Sequence, residues 1–334
     1  VLSAWCRIAL RMKRLRGRKA GASSRQDHTR AEQRAEAAEA AEALEASSRA
    51  RRDHMAAPAS IVSRIRIADY GVLGTQLTKN SGIEKRAEPP DDFTAFVDPA
   101  GLTFIQRVGP GGAGGASASI YEHIGIRDDD DFPDDVREAI TEECDSHYHR
   151  YETESGVHHC IHTVGPKLGH GKYTDTEAVW KLAGAYRNVL SQFVRFAVSK
   201  AAADPAPEGT PVRLRLLPIS GGLFAGEYQQ DIAPLTLAAL EEGIGLLTEE
   251  ERGVLATEQG GEGDAAEGAA QIELCIFLEV ELAAFHAAMA EHEQMQAEQP
   301  EAAGGAASTA AAGSTAAAEI LVAAPTAEAT EEYR

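Results

Sequence analysis

Short apolar runs and longer helical patterns alternate between residues 60 and 290, and this alternation constrains the fold more than any other feature of the sequence. The runs typical of strands cover residues 61–67, 93–97, 157–164, 214–219 and 272–278. The patterns typical of helices cover residues 116–124, 132–148, 174–200, 232–247 and 280–289. Strands that alternate with helices predict an α/β fold, here a three-layer α/β/α sandwich around a mixed, largely parallel central sheet.

The two ends of the chain differ in composition from this central domain of residues 60–290. Residues 1–57 are basic and then rich in Ala and Glu, and residues 292–334 are of low complexity, so we expect disorder in both. The basic, acid-free residues 1–20 are typical of an organelle-targeting segment or a membrane-surface helix. An upstream extension of the gene model, with Met55 as the true start, explains them equally well. Inside the domain, the acidic, glycine-rich residues 248–270 predict a surface insertion.

The charge of the chain excludes some classes of partner. It has 32 Lys and Arg against 52 Asp and Glu, which gives a net charge of −20 at pH 7. Because the basic residues are concentrated in the first 57, the rest is still more acidic, and we expect no nucleic acid to bind the folded region. The sequence has no run of about 18 apolar residues, so we expect no membrane-spanning helix.

Two glycine-rich segments lie between a predicted strand and the predicted helix that follows it. The first is residues 109–115, and the second begins at Ser220 after the strand of residues 214–219. A strand that enters a small-residue turn ahead of a helix leaves backbone N–H groups free to hold an anion such as phosphate. Glycine-rich turns also occur where a chain only changes direction, so this pattern by itself leaves a purely structural role open.

Several segments in the right order resemble the macro domain, a family of ADP-ribose-binding modules. Cys160-Ile-His-Thr-Val-Gly-Pro166 is similar to the family's strand that ends in His-Thr-Val-Gly-Pro. Ile219-Ser-Gly-Gly-Leu-Phe-Ala-Gly226 is similar to its second phosphate loop, usually Ile-Ser-Thr-Gly-Ile-Phe-Gly. The other resembling segments are the first glycine-rich loop and helix at Gly114–Gly125, Gln76-Leu-Thr-Lys79, Glu143-Cys144 and the closing strand Glu273–Phe277.

The resemblance implies a module that binds ADP-ribose or ADP-ribosylated protein, with two clusters of main-chain amides around the diphosphate and Phe224 beside the distal ribose. It implies no cofactor and no metal. The residues expected to line the site are Gln76, Asp98, Gly114, Gly115, Ala116, Ser220, Gly221, Gly222, Leu223, Phe224 and Ala225.

Departures from the family pattern argue against catalysis. Family hydrolases usually carry Asn-Ala-Ala-Asn where this chain has Asp98-Pro-Ala-Gly101, so Gly101 has no side chain to orient water. Ser117 or Ala118 stands where active relatives have a helpful acid or glycine, and neither is a general base. Gln76 replaces the adenine-selecting Asp. Binding without catalysis is therefore expected. The alternatives are an ADP-ribosyl hydrolase and a degenerate macro fold that serves as an interaction scaffold. In the scaffold, Arg107 or Tyr121 would fill the cleft between the two loops.

Cysteine and histidine residues suggest a zinc site, because these are the ligands that zinc prefers. The candidates are Cys144, His147, His149, His158, His159, Cys160 and His162. Their spacing is poor for one metal, so we expect instead that Cys144 and Cys160 are buried and that His162 is bonded inside the core. The cysteines, Cys6 and Cys275 included, form no regularly spaced pair, which favours a reducing compartment. Cytoplasm or nucleus is therefore the default location, unless residues 1–20 direct the chain to an organelle.

Overall fold

A computed structural model of the protein describes residues 65–154, 156–169, 171–203, 210–256 and 270–297. The predicted extension of residues 1–57 lies outside the described residues. So do residues 257–269 of the predicted insertion and residues 298–334 of the predicted tail.

A six-stranded sheet organises the described residues, with the strand order β1-β8-β7-β4-β6-β5. Four of its five strand pairs are parallel, and only β5 runs antiparallel, to β6. Two short strands, β2 and β3, form a separate antiparallel pair. The predicted α/β fold with a mixed, largely parallel sheet is therefore confirmed. The strands are β1 (Ile65–Ala68), β2 (Thr75–Leu77), β3 (Ile83–Lys85), β4 (Thr94–Asp98), β5 (Ser146–Thr153), β6 (Gly156–Thr163), β7 (Arg213–Leu216) and β8 (Gln271–Cys275).

Helices connect the parallel strands, because parallel neighbours need a crossover between the end of one strand and the start of the next. The helices are α1 (Gly115–Ile124), α2 (Asp134–Ala139), α3 (Asp175–Ala203), α4 (Ile232–Gly245), α5 (Glu249–Ala256) and α6 (Glu279–Ala297). None of these helices is long and apolar enough to cross a membrane.

The sheet is buried on both faces, as a parallel sheet requires. In β4, Ala95 and Val97 belong to one hydrophobic cluster, and Phe96 between them belongs to another. The first cluster includes the apolar faces of α3 and α4, and the second includes that of α1. Successive side chains of a strand point to opposite faces, so the two clusters lie on opposite sides of the sheet.

The helix predicted over residues 132–148 is wrong in its second half. The helix α2 ends at Ala139, and the chain turns and enters β5 at Ser146. Cys144 lies in that turn with a φ of 76°, a conformation that no helix contains. Cys144 and His147, which the helix predicted over residues 132–148 would have placed on one element, therefore do not lie on a common helix. From Ser146 onward the residues gain a complete antiparallel ladder with β6, which outweighs their helical pattern.

Several element boundaries also differ from expectation. The strand β7 ends at Leu216, three residues before the predicted end at Ile219. The predicted insertion begins with the helix α5, and the closing helix α6 continues to Ala297, into the segment expected to be disordered. His292 in that segment is buried, so packing against the domain supports the helix there.

Candidate functional site

The carboxyl ends of the parallel strands β4, β6 and β7 lie at one edge of the sheet, and three loops leave from it. They are residues 99–114 after β4, residues 164–174 after β6 and residues 217–231 after β7. Ligands of open α/β sheets bind at this edge. The sheet therefore brings both predicted glycine-rich segments to the same side of the molecule.

The loops after β6 and β7 are joined by specific hydrogen bonds. The backbone N–H of Leu168 donates to the carbonyl of Phe224 at 2.8 Å. The hydroxyl of Ser220 donates to the carbonyl of Pro166 at 2.7 Å. At the outer end, the N–H of Gly171 donates to Oε1 of Glu227 at 2.7 Å. These bonds hold the second glycine-rich segment against the loop after β6, which begins within His-Thr-Val-Gly-Pro.

Glycine allows the two backbones to approach this closely. A Cβ added to Gly226, which has a φ of 55°, would lie 2.3 Å from Cα of Gly169. A Cβ added to Gly165 would lie 2.5 Å from Oγ of Ser220. Atoms of any larger residue would collide at both positions, so the glycines determine how the loops meet.

The loop after β4 meets the loop after β7 at Gly101 and Phe224. A Cβ on Gly101 would lie 3.2 Å from Cδ2 of Phe104 and 3.7 Å from Cζ of Phe224. The ring of Phe224 is half-buried, and the exposed Lys167 places its Nζ 5.4 Å from the ring centroid. An aromatic face and a cation thus lie side by side at this edge.

The second glycine-rich segment presents several backbone donors. In the described part of the chain, the N–H groups of Gly222, Leu223 and Phe224 have no acceptor, whereas those of Gly221 and Ala225 donate to the carbonyls of Pro218 and Gly222. Gly222 and Leu223 are exposed, and a Cβ on Gly222 would meet no atom within 4 Å. Three consecutive donors are therefore available to an anion.

The first glycine-rich segment ends at the N-terminus of α1. Gly114 is the N-cap and provides no side-chain hydrogen bond, and Gly115 has a φ of 60°. The first N–H groups of a helix have no partner inside it, so those of Gly115 and Ala116 point outward with the positive end of the helix dipole. Gly114 and Gly115 are exposed, and a Cβ on either would meet no atom within 4 Å.

Two predicted site residues lie beneath the surface instead of on it. Gln76 in β2 is 1% exposed, and its Nε2 has no partner among the described residues. Asp98 at the end of β4 is 0% exposed. Tyr121 is also buried, and Arg107 is exposed on the loop after β4. Of the expected residues, those of the glycine-rich segments and Phe224 lie at the surface of this edge. Ser220 and Ala225 are the exceptions and are buried.

The carboxylate of Asp98 is bonded inside the core. The hydroxyl of Tyr121 donates to Oδ2 of Asp98 at 2.7 Å, and Nδ1 of His162 lies 2.8 Å from the same oxygen. The hydroxyl of Tyr151 lies 2.8 Å from Nε2 of His162. The prediction that His162 is bonded inside the core is therefore confirmed. Burial first, and then the neighbouring carboxylate of Asp98, raises the pKa of Tyr121 far above its ordinary value.

A second chain of the same kind lies on the other face of the sheet. Nδ1 of His159 lies 2.8 Å from the hydroxyl of Tyr148, and its Nε2 lies 2.7 Å from Oδ1 of Asp92. Burial raises the pKa of Tyr148 to about 12. Burial also lowers the pKa of His159, although the carboxylate of Asp92 acts in the opposite direction. Asp92, Tyr148 and Tyr151 were not among the residues expected from the sequence. The alternation of aromatic and polar residues at 147–151 was the available signal.

The cysteines are poorly placed for chemistry. Cys160 is fully buried as expected, and burial raises the pKa of its thiol well above the ordinary value. Cys144 is only partly buried, and burial raises its pKa to about 11. Both thiols are therefore protonated near neutral pH. Within the described ranges, no group of three or more His, Cys, Asp or Glu side chains is placed to hold a metal ion.

Comparison with known proteins adds no relative. No protein-family model matches the chain, and no curated protein matches it in sequence. The resemblance to the macro domain therefore depends on the quoted sequence segments alone.

Proposed function

We propose that this protein is a divergent macro domain, a three-layer α/β/α sandwich that binds ADP-ribose or a related nucleotide diphosphate, free or attached to protein. The diphosphate is held by backbone amides of the two glycine-rich segments, those of Gly114–Ala116 and of Ser220–Ala225. The observation that supports this proposal most directly is the row of three donors without an acceptor at Gly222, Leu223 and Phe224, at the edge where α1 also begins.

The amide cradle suits the charge of this protein. An acidic domain repels phosphates over most of its surface, so a local concentration of donors is needed to hold one. Main-chain N–H groups and the end of the helix dipole provide it without a cluster of basic side chains. Lys167 adds one exposed cation beside Phe224, and among the described residues no carboxylate lies within ion-pair distance of its ammonium.

The buried residues Gln76 and Asp98 support the site from behind. Gln76 is on the hairpin β2–β3, near the ends of β1 and β8. The backbone N–H of the next residue, Leu77, donates to the carbonyl of Phe277 at 2.8 Å. Nε2 of Gln76 has no partner among the described residues, so it is a candidate donor to a nucleobase. Because Gln76 is buried, the atoms that cover it would have to move for the nucleobase to reach it. We assign Gln76 to the adenine side because it stands where the resembling family has its adenine-selecting Asp.

Binding without hydrolysis is the function that these side chains favour. Gly101 provides no group to orient water, and Ser117 is 7% exposed in the first turn of α1. A hydroxyl at its ordinary pKa is a poor proton acceptor, and Ala118 has no polar group. No observation at this edge favours the hydrolase over the binding module.

Titration calorimetry with ADP-ribose tests the proposal. Gly222→Glu adds a carboxylate beside the free amides at a position where an added Cβ meets no atom within 4 Å. We expect the wild-type protein to bind and Gly222→Glu to weaken binding by about tenfold or more, since a like charge next to a phosphate costs on the order of 1–2 kcal/mol.

Gly253→Glu is the matched control. Gly253 is an exposed glycine on α5, an added Cβ there also meets no atom within 4 Å, and the substitution adds the same charge. Its affinity should equal that of the wild-type protein. If the wild-type protein gives no heat with millimolar ADP-ribose, or if both variants lose the same affinity, the amide cradle is not the binding site.

A further inference from the structure

The two Asp–His–Tyr chains are alike in composition but differ in position along the strands. The first, which we call the carboxyl-edge chain, consists of Asp98, His162 and Tyr151. The second, the amino-end chain, consists of Asp92, His159 and Tyr148. Each one links the segment containing β4 to β6 and then to the edge strand β5.

Only the carboxyl-edge chain reaches the candidate site. Asp98 is the last residue of β4, and the next residues, 99–101, end at Gly101, where an added Cβ would lie 3.7 Å from Cζ of Phe224. His162 pairs with Asp98 in the parallel ladder, one residue before the end of β6. The loop that follows contains Pro166, whose carbonyl accepts the hydroxyl of Ser220. Asp98 and His162 thus connect the bases of two of the three loops.

The residues of the amino-end chain do not lie at the bases of these loops. Asp92 precedes β4 by two residues, and its carboxylate binds His159 and the ammonium of Lys200 on α3. His159 pairs with Ala95, well before the end of β6. Loss of the amino-end chain can weaken the fold, but this chain has no direct contact with residues 99–101 or 164–166.

The hydroxyl groups of Tyr121 and Tyr151 are the donors at the two ends of the carboxyl-edge chain. Burial raises the pKa of Tyr121 and of Tyr151, so both hydroxyls stay protonated at neutral pH. Tyr121 donates to Oδ2 of Asp98, and Tyr151 can donate to Nε2 of His162. When Tyr151 donates to Nε2, His162 carries its proton on Nδ1 and donates it to Asp98.

Asp98 is an expensive residue to bury if it serves only the fold. Its side chain is 0% exposed, both described donors go to Oδ2, and Oδ1 has no partner among the described residues. A buried carboxylate whose lone pairs are only partly used costs free energy relative to an apolar residue. Because Asp98 is the last residue of β4, this incompletely bonded carboxylate lies at the base of the loop that leads to the candidate site.

We infer that Asp98 is a positioning residue: its carboxylate, through His162, holds the loops after β4 and β6 in the arrangement that brings Gly101 against Phe224. This inference rests on the proposed function for its effect on binding, because a site arranged in advance loses less conformational entropy when a ligand binds. Asp98 therefore acts on ADP-ribose from below the surface, without touching it.

Two matched variants test the inference, Asp98→Asn in the carboxyl-edge chain and Asp92→Asn in the amino-end chain. Each replaces the carboxylate of one Asp–His–Tyr chain by an amide of the same shape. We expect Asp98→Asn to weaken ADP-ribose binding on the order of tenfold. We expect Asp92→Asn to lower the midpoint of urea unfolding and to leave the affinity within about twofold of the wild-type value. Affinity losses that simply follow the loss of stability in both variants would contradict the positioning role.

A second readout does not need the ligand. In Asp98→Asn, amide hydrogen exchange should become faster at residues 100–101 and 163–165, and Asp92→Asn should leave it unchanged there. The ¹⁵N resonances of His162 should show a proton on Nδ1 in the wild-type protein and a change of this signal in Asp98→Asn only. If wild-type protein binds no ADP-ribose, the proposed function fails, while these two signals still decide whether Asp98 positions the loops.

Tyr121→Phe provides a milder change in case Asp98→Asn does not fold. It removes one hydroxyl donor to Oδ2 and keeps the carboxylate and the ring packing. The same faster exchange at residues 100–101 is expected, with a smaller loss of affinity than in Asp98→Asn. Unchanged exchange and an unchanged His162 signal in both variants would overturn the inference.

Discussion

Gly101 lies so close to Phe224 that a Cβ on the glycine would be 3.7 Å from Cζ of the ring. The loops after β4 and β7 therefore come close at these two residues, and the ring of Phe224 is half-buried. Any ligand held by the amides of Gly222–Phe224 therefore has an aromatic surface beside it.

Phe224→Ala should weaken ADP-ribose binding by about tenfold, because a half-buried ring that covers a ligand contributes on the order of 1–2 kcal/mol. The backbone bond from Leu168 to the carbonyl of residue 224 remains possible in the variant. Calorimetry should show the loss, and urea unfolding should show little change. Val198→Ala, at an exposed apolar residue on α3, is the control and should bind normally. Equal affinities for wild-type and Phe224→Ala proteins would exclude the ring from the site.

Gly226→Ala should destabilise the protein more than Gly171→Ala. Both glycines have a positive φ, 55° and 64°, so both variants incur backbone strain of about 1 kcal/mol. Only at Gly226 would the new Cβ also collide, 2.3 Å from Cα of Gly169, whereas at Gly171 it meets no atom within 4 Å. The collision should raise the total loss to roughly 2–3 kcal/mol. Free energies of unfolding in urea measure both, and equal losses would mean that the close approach of the loops is unimportant.

The order of strands and helices was predictable because each pattern is local. The apolar runs of β4, β6 and β8 and the helical repeat of α3 lie within single segments of the sequence. The strand β5 was missed because its pairing with β6 decides its conformation, and a positive φ at Cys144 leaves no sequence signal. The strands β2 and β3, with three residues each, are too short for a recognisable period.

The two glycine-rich segments were predictable for the same local reason, but their support was not. Asp98 and His162 are 64 residues apart, and Asp92 and His159 are 67 residues apart. Only the register of the sheet places these pairs in contact. The sequence can therefore indicate which residues provide free amides, while the side chains that hold the loops depend on contacts between distant segments.

The stabilising contribution of Asp135 should be lost in acid. Burial raises the pKa of Asp135, but hydrogen bonds with His149 at 2.9 Å and His147 at 3.1 Å outweigh it, and the net pKa is lowered. A carboxyl with a lowered folded pKa stabilises the protein above the unfolded value of about 3.9, and this contribution is lost as pH falls through the folded pKa. Between pH 7 and pH 3, the wild-type protein should therefore lose more stability than Asp135→Asn.

Asp134→Asn is the control for this pH effect. Asp134 is exposed and shares the first turn of α2 with Asp135, so both substitutions remove the same interaction with the helix dipole. Urea unfolding of the three proteins at both pH values gives the comparison. If the stability difference between wild-type protein and Asp135→Asn is the same at pH 3 and pH 7, the contacts with His147 and His149 do not stabilise the fold.

Arg215→Met should be among the most destabilising single substitutions in the sheet. Arg215 and Glu273 are 6% and 3% exposed, with Nε of the first 3.0 Å from Oε2 of the second. Arg215 also donates to the carbonyl of Glu88 at 2.9 Å, which ties the segment after β3 to the sheet. Removing one member of a buried ion pair leaves the other charge without its partner and costs about 3–5 kcal/mol. Arg66 and Tyr70, which also contact Glu273, should compensate only in part.

The double variant Arg215→Met/Glu273→Leu separates the cost of an unpaired charge from the loss of packing. The double variant replaces both charges by apolar side chains of similar length, and continuum arguments make such a replacement nearly neutral. The hydroxyl of Tyr70 and the guanidinium of Arg66 lose their acceptor on Glu273 in this variant. We therefore expect the double variant to be more stable than Arg215→Met alone, which four urea unfolding curves, including that of Glu273→Leu, will measure as a coupling free energy. A double variant less stable than either single one would show that the bond to Glu88 and the shape of the side chains matter more than the buried charge.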